Sequence, residues 1–164
     1  MKRHLVVALG SLTMISACAT VEVGGSPVHL APELAANARV GQIYVSTDWL
    51  DSEEDFQATF TDALAGEMAL CGGGSHRLNL SVHIEALRRA PRGQILAGDD
   101  ARHRLKATAE FKDPSNGGQV VGRYPIVVDI PAGSGAVAAL MDRQDMVSNA
   151  FARTLCEQAF HEPS

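Results

Sequence analysis

The chain has 164 residues, with 14 Lys and Arg against 19 Asp and Glu and a formal net charge of −5. That acidic balance argues against nucleic acid as a partner, because phosphate binding requires a concentrated basic surface. The length suits one domain with its own core, and no internal repeat marks a second.

Met1-Lys2-Arg3 is followed by an apolar run from Leu5 to Ile15 and then by small residues. A charged start, a short apolar stretch and small residues before a cut are the parts of an export signal. The run is too short for a transmembrane helix, which needs about 20 mostly apolar residues. Its last four residues, Ile15-Ser16-Ala17-Cys18, resemble the lipobox of bacterial lipoprotein precursors. The resemblance implies removal of residues 1–17, a diacylglycerol on the Cys18 thiol and acylation, typically by palmitate, of the new amino terminus. Ala19 stands where an aspartate would, by the same resemblance, favour retention at the inner membrane. The expected destination is therefore the outer membrane, with the protein facing the periplasm. Inner-membrane anchoring, or a soluble periplasmic product cut after Ala19, are the alternatives. Loss of Lys2 and Arg3 leaves 12 basic against 19 acidic residues, a net charge near −7.

Residues 18–39 carry Gly24-Gly25-Ser26-Pro27 and Pro32 without a sustained period, and read as a lipidated tether with a short turn at Pro32-Glu33-Leu34. A flexible coil of about 20 residues spans roughly 25 Å. The folded domain is expected over 40–164.

Val40 to Thr47, with Ile43 and Val45 alternating, predicts a strand. A helix follows, with Ser52 as N-cap, Asp55 three residues on, and Phe56, Phe60, Ala63, Leu64 and Cys71 on one face until Gly72-Gly73-Gly74 stops it. Glu67 falls inside the stripe and is expected to reach the edge. Leu78, Leu80, Val82 and Ile84 alternate with Arg77, Asn79, Ser81, His83 and Glu85, the period of a strand with one wet face. Leu105, Ala107, Ala109 and Phe111 repeat this against Lys106, Thr108, Glu110 and Lys112. Asp113 to Gly118 turns the chain into a third such strand carrying Val120, Tyr124, Ile126, Val128 and Ile130. A last helix, starting near Val137 or Asp142, places Leu140, Val147, Phe151 and Leu155 on one side.

The order β-α-β-β-β-α predicts an α+β, two-layer domain: a mostly antiparallel four-stranded sheet with two helices on one face. If the strands reverse at each hairpin, both helices run the same way and end at one edge of the sheet. Cys71 and Cys156 belong to those ends. With Cys18 lipidated, two thiols remain in an oxidising compartment, and a Cys71–Cys156 disulfide is predicted. Closing a loop of that length is worth roughly 4 kcal/mol in the chain-entropy model.

No chemistry-bearing motif is complete. Gly133-Ser134-Gly135-Ala136-Val137-Ala138 has a dinucleotide-loop spacing but lacks the following strand and acid of a βαβ unit. The glycines before Ser75-His76 lack the lysine of a phosphate loop. The histidines fall in separate elements without ligand spacing, so neither a metal nor another cofactor is expected. No nucleophile elbow occurs, and the disulfide would remove both candidate thiols; the protein is expected not to be an enzyme. Arg88, Arg89, Arg92, Arg102 and Arg104 flank a loop holding Asp99 and Asp100. They read either as a site for anionic lipid or glycan phosphates or as a solvated hairpin paired with its own aspartates. The wet sheet face around Arg77, Asn79, His83, Lys106 and Glu110, or an open strand edge, is the candidate partner surface.

Lipobox, tether and strand–helix–meander–helix order together resemble small proteobacterial envelope lipoproteins, in outline the lipopolysaccharide-assembly lipoprotein. The resemblance implies a membrane-tethered accessory or assembly protein with an envelope protein partner. The other reading is a binder of an amphipathic small molecule or lipid held between sheet and helices, which requires an apolar cavity of several hundred Å³.

Overall fold

The computed structural model describes residues 26–47, 56–97, 101–132 and 142–161. The leader, Cys18, the Ser52 cap and the glycine-rich stretch at 133–138 lie outside them. Four strands form one sheet in the order β1-β2-β3-β4: β1 (Ala38–Thr47), β2 (His76–Arg88), β3 (Arg102–Asp113) and β4 (Gln119–Pro131). Among the described residues the helices are α1 (Pro32–Asn37), α2 (Phe56–Cys71), α3 (Arg92–Ala97) and α4 (Arg143–Phe160).

The architecture is the expected two-layer α+β domain. The strands β2, β3 and β4 form an antiparallel meander, while β1 pairs parallel to β2. That parallel pair follows from connectivity, because α2 carries the chain back across the sheet between the two strands. Since β1 and β4 then point the same way, α2 and α4 run in the same direction, and their last turns meet. There Cys71 and Cys156 form a disulfide across 85 residues of sequence, with Cα atoms 5.9 Å apart.

Alternation decides which sheet face is dry. Leu78, Leu80, Val82 and Ile84 of β2, and Leu105, Ala107, Ala109 and Phe111 of β3, are buried under the two helices. Helix α2 contributes Phe56, Phe60, Leu64 and Met68, one per turn, and α4 contributes Val147, Phe151, Leu155 and Ala159. The Phe60 and Phe151 rings join the helices at 5.2 Å between centroids. These side chains form the core between sheet and helices.

Local chemistry sets the ends. The Asp142 carboxylate caps α4 by accepting from the backbone N–H groups of Gln144 and Asp145 at 2.8 and 3.3 Å. In the β3–β4 turn, the Asp113 carboxylate accepts from the Ser115 N–H and hydroxyl, and lies 3.1 Å from the His76 imidazole. The Ser115 bonds foremost, with the neighbouring imidazole, hold the Asp113 carboxyl below the usual range. Gly117 and Gly118 close the turn at φ 65° and 76°, where side chains are strained.

Three features differ from the sequence reading. The stretch expected as a free tether up to residue 39 is, from Val28 on, folded against the domain. Val28 exchanges two backbone hydrogen bonds with Arg123 of β4, and the Leu30 N–H donates to the Tyr124 hydroxyl at 2.9 Å. Leu30 itself is buried against Gly122, where a Cβ would come within 3.0 Å of it. This strap then enters α1, and β1 begins at Ala38 rather than Val40. The β2–β3 connection, expected as a hairpin, contains α3, whose Ile95 is buried with Ala90, Ala101 and Ala132 in a separate small cluster.

Candidate functional site

The face of the sheet turned away from α2 and α4 presents Arg77, Asn79, Ser81, His83 and Glu85 from β2 and Lys106, Thr108, Glu110 and Lys112 from β3. Most of these groups pair with one another. The Lys106 ammonium lies 2.6 Å from the Glu85 carboxylate, which also accepts from the Thr108 hydroxyl at 2.8 Å. Glu110 sits between Arg123 at 2.8 Å and Lys112 at 3.5 Å. His83 Nδ1 is 3.2 Å from the Ser46 hydroxyl. Glu85 is only 10% exposed where its Lys106 partner is 47% exposed, so these half-buried pairs fix the side chains of the face.

Asn79 has a structural task. The β1–β2 register slips between Val40 and Ile43, and the Asn79 side-chain oxygen accepts from the Gln42 N–H at 3.3 Å, within the slip. Beyond the bulge, Tyr44 donates its hydroxyl to Gln42 at 2.7 Å and leaves its ring 52% exposed. On β4, Val127 is 49% exposed across from Lys106. The face is thus a polar network with an aromatic on one outer strand and an aliphatic on the other.

The five arginines separate. Arg88 and Arg104 stand directly opposite in the β2–β3 ladder, both exposed, at the end of the open face. Like charges in that relation repel. Arg102 is held by Asp129 of β4 at 2.7 Å, and also donates to that residue's carbonyl at 3.1 Å. Arg92 opens α3 on the surface, and Arg89 lies past the strand end near His103. Asp99 and Asp100 lie outside the described residues.

His103 is a residue the sequence reading passed over, although it is in phase with Leu105 on the dry side of β3. It is fully buried, and its Nδ1 accepts from the Ala90 N–H at 3.2 Å, which places the ring proton on Nε2. Burial first, then the Arg143 and Arg89 charges, lower its pKa. Above about pH 6.5 it is neutral in both folded and unfolded chains; below that, the unfolded chain takes up a proton the native site resists. Stability is therefore expected to fall as pH falls from about 6.5 toward the lower native pKa, with a slope of at most about 1.4 kcal/mol per pH unit from this group. His103→Leu should flatten that slope, costing about 1–2 kcal/mol at pH 8 for the unpaired Ala90 N–H and less at pH 5, where the acid penalty is gone. Urea midpoints at pH 5 and pH 8 check this; an unchanged slope would assign the acid sensitivity to another group.

Glu67 offers a carboxylate oxygen within 4.8 Å of the sulfurs of Cys71 and Cys156. With those sulfurs joined to each other, neither is a thiolate, so this cluster offers no thiolate pair to a metal.

A cleft of about 580 Å³ lies between the strap, α1 and the last turn of α4. Its position differs from the expected one between sheet and helices. Tyr124 forms its floor, with the His29 ring edge-on at 5.7 Å, and Phe160 packs edge-on against Phe111. Burial raises the Tyr124 pKa, so the hydroxyl stays protonated.

No family model matches the chain, and no curated protein matches it. Solved structures share its fold. PelC from Paraburkholderia phytofirmans, described as a dodecamer, is 17% identical with a TM-score of 0.56, covering 82% of this chain and 96% of that one. A single-substitution variant of the same protein, in another crystal form, gives a TM-score of 0.53. A Xanthomonas campestris protein described under the family model DUF330 is 13% identical with a TM-score of 0.50, covering 80% of this chain and 90% of that one.

Proposed function

We propose that the protein is a lipid-anchored lipoprotein of the cell envelope. It is held by acylated Cys18 at the periplasmic side of the outer membrane and acts as a non-enzymatic accessory or assembly protein through protein contacts. The observation that carries the contact reading is the uncovered sheet face: two helices protect one side, while the other leaves Tyr44 and Val127 exposed within a network that is already paired. Because Lys106 pairs with Glu85 and Glu110 with Arg123 and Lys112, a partner can cover that part of the face without leaving those ions unpaired. The leader supports the address, and the disulfide suits an oxidising compartment. Among the described residues no helix is long and apolar enough to cross a membrane, so attachment falls to the lipid. PelC, of the same fold, is described as a dodecamer, and further copies of this chain are accordingly the first partners to test.

Photo-crosslinking residues introduced at Tyr44 and Val127 in cells test this reading, with exposed Arg153 of α4 as control. Both sheet positions should give one discrete high-mass product, resolved by mass spectrometry as the same partner or as a multimer of this chain, and Arg153 should give none. Products from Arg153 alone, or none from the sheet, would contradict it.

A further inference from the structure

The cleft beside α1 has a lining of one character. Its walls are Leu30, Pro32, Ala35, Ala36, Ala159 and Phe160, and its polar groups are the imidazoles of His29 and His161, the Gln158 amide and the Tyr124 hydroxyl. Among the described residues no carboxylate lines it, in a chain with 19 of them. The Tyr124 hydroxyl is already engaged by the Leu30 N–H, and both histidines are exposed, at the rim. At about 580 Å³ the space falls within the range of small-molecule sites, roughly 300–1,000 Å³.

We infer that this cleft binds a single acyl chain with an anionic head, as in a fatty acid, the chain against the alanine, leucine, proline and phenylalanine walls and the head at His29 and His161. Hydrogen bonding selects the head: the His29 imidazole and Gln158 amide N–H groups donate to a carboxylate, beside His161, whose Nδ1 faces the Cys156 carbonyl at 3.4 Å, and no described acid lines the cleft. Position selects the lipid. The strap wall begins at Val28, ten residues after Cys18, and ten residues of chain reach at most roughly 33–36 Å. With Cys18 in a bilayer, the cleft stays within that reach of the lipid. That second argument rests on the anchored reading; the lining does not.

Calorimetric titration of palmitate, below its aggregation concentration, into the exported full-length chain carrying Cys18→Ser tests the site without acylation. Saturable one-to-one binding is expected. Ala36→Trp, at an exposed position of α1 facing the cleft, should weaken it by roughly tenfold or more with an unchanged circular dichroism melt, which one lost favourable contact of ordinary size would produce. His29→Ala with His161→Ala should weaken palmitate by roughly tenfold and leave 1-hexadecanol unchanged. Non-saturable uptake, or parental affinity in a folded Ala36→Trp chain, would overturn the site; equal losses for acid and alcohol would overturn the role given to the histidines. Because no step depends on the anchor, failure here leaves the envelope reading standing, and the converse also holds.

Discussion

Replacing Cys71 and Cys156 together by serine is expected to lower folding stability by about 4 kcal/mol. The bridge spans 85 residues and ties the last turn of α2 to α4, so in its absence the unfolded chain recovers the freedom of a loop that contains most of the sheet. The native state keeps its two-layer packing, because Phe60 and Phe151 still join the helices nearer their middles. A domain of this size loses roughly 3–5 °C of melting temperature per kcal/mol, so a fall on the order of 10–20 °C is expected. Thermal melts of the parent with and without reductant, beside the double serine variant, check this. A reduced parent that melts with the oxidised one would show that the bridge constrains nothing the packing does not already hold.

Cys18→Ser is expected to move the protein from the membrane pellet to the soluble periplasmic fraction almost completely. Each buried methylene of an acyl chain contributes about 0.8 kcal/mol, so one chain gives reversible attachment and two or three give attachment that does not release. Among the described residues no helix is long and apolar enough to cross a membrane. Fractionation of spheroplasts checks the outcome. A variant that stays with the membrane would place the attachment in protein contacts, for which the open sheet face is the first candidate.

Periodicity made the core elements legible. Thirteen-residue β2 alternates without a break from Leu78 to Ile84, and α2 repeats its aromatics every fourth residue, so each could bury only one face. The disulfide was legible for the same reason, as element order alone brings the ends of α2 and α4 together. The strap was not, because Val28 and Leu30 are lone apolar residues in a stretch of glycine and proline, and the group that takes the Leu30 N–H is the Tyr124 hydroxyl, 94 positions away. The six residues of α3 are too few for a helical period to show. His103 carried a usable signal in its phase with Leu105, which a polar residue type concealed. Of the candidate face, Lys106, Glu110 and His83 stand in the open network, while Asn79 serves the β1 bulge. The arginines clustered in sequence are spread between the open face, α3 and the His103 pocket, since the chain bends through α3 between them. The cleft joins the first and last described segments, and no local pattern could announce it.

Envelope attachment turns on what the cell does at Cys18, and intact-mass analysis of the protein extracted from envelopes reads that directly. A mature chain beginning at Cys18 and heavier than its sequence by a diacylglyceryl group and a further acyl chain is the predicted result. An unmodified chain beginning at Thr20, or one that keeps residues 1–17, would contradict it.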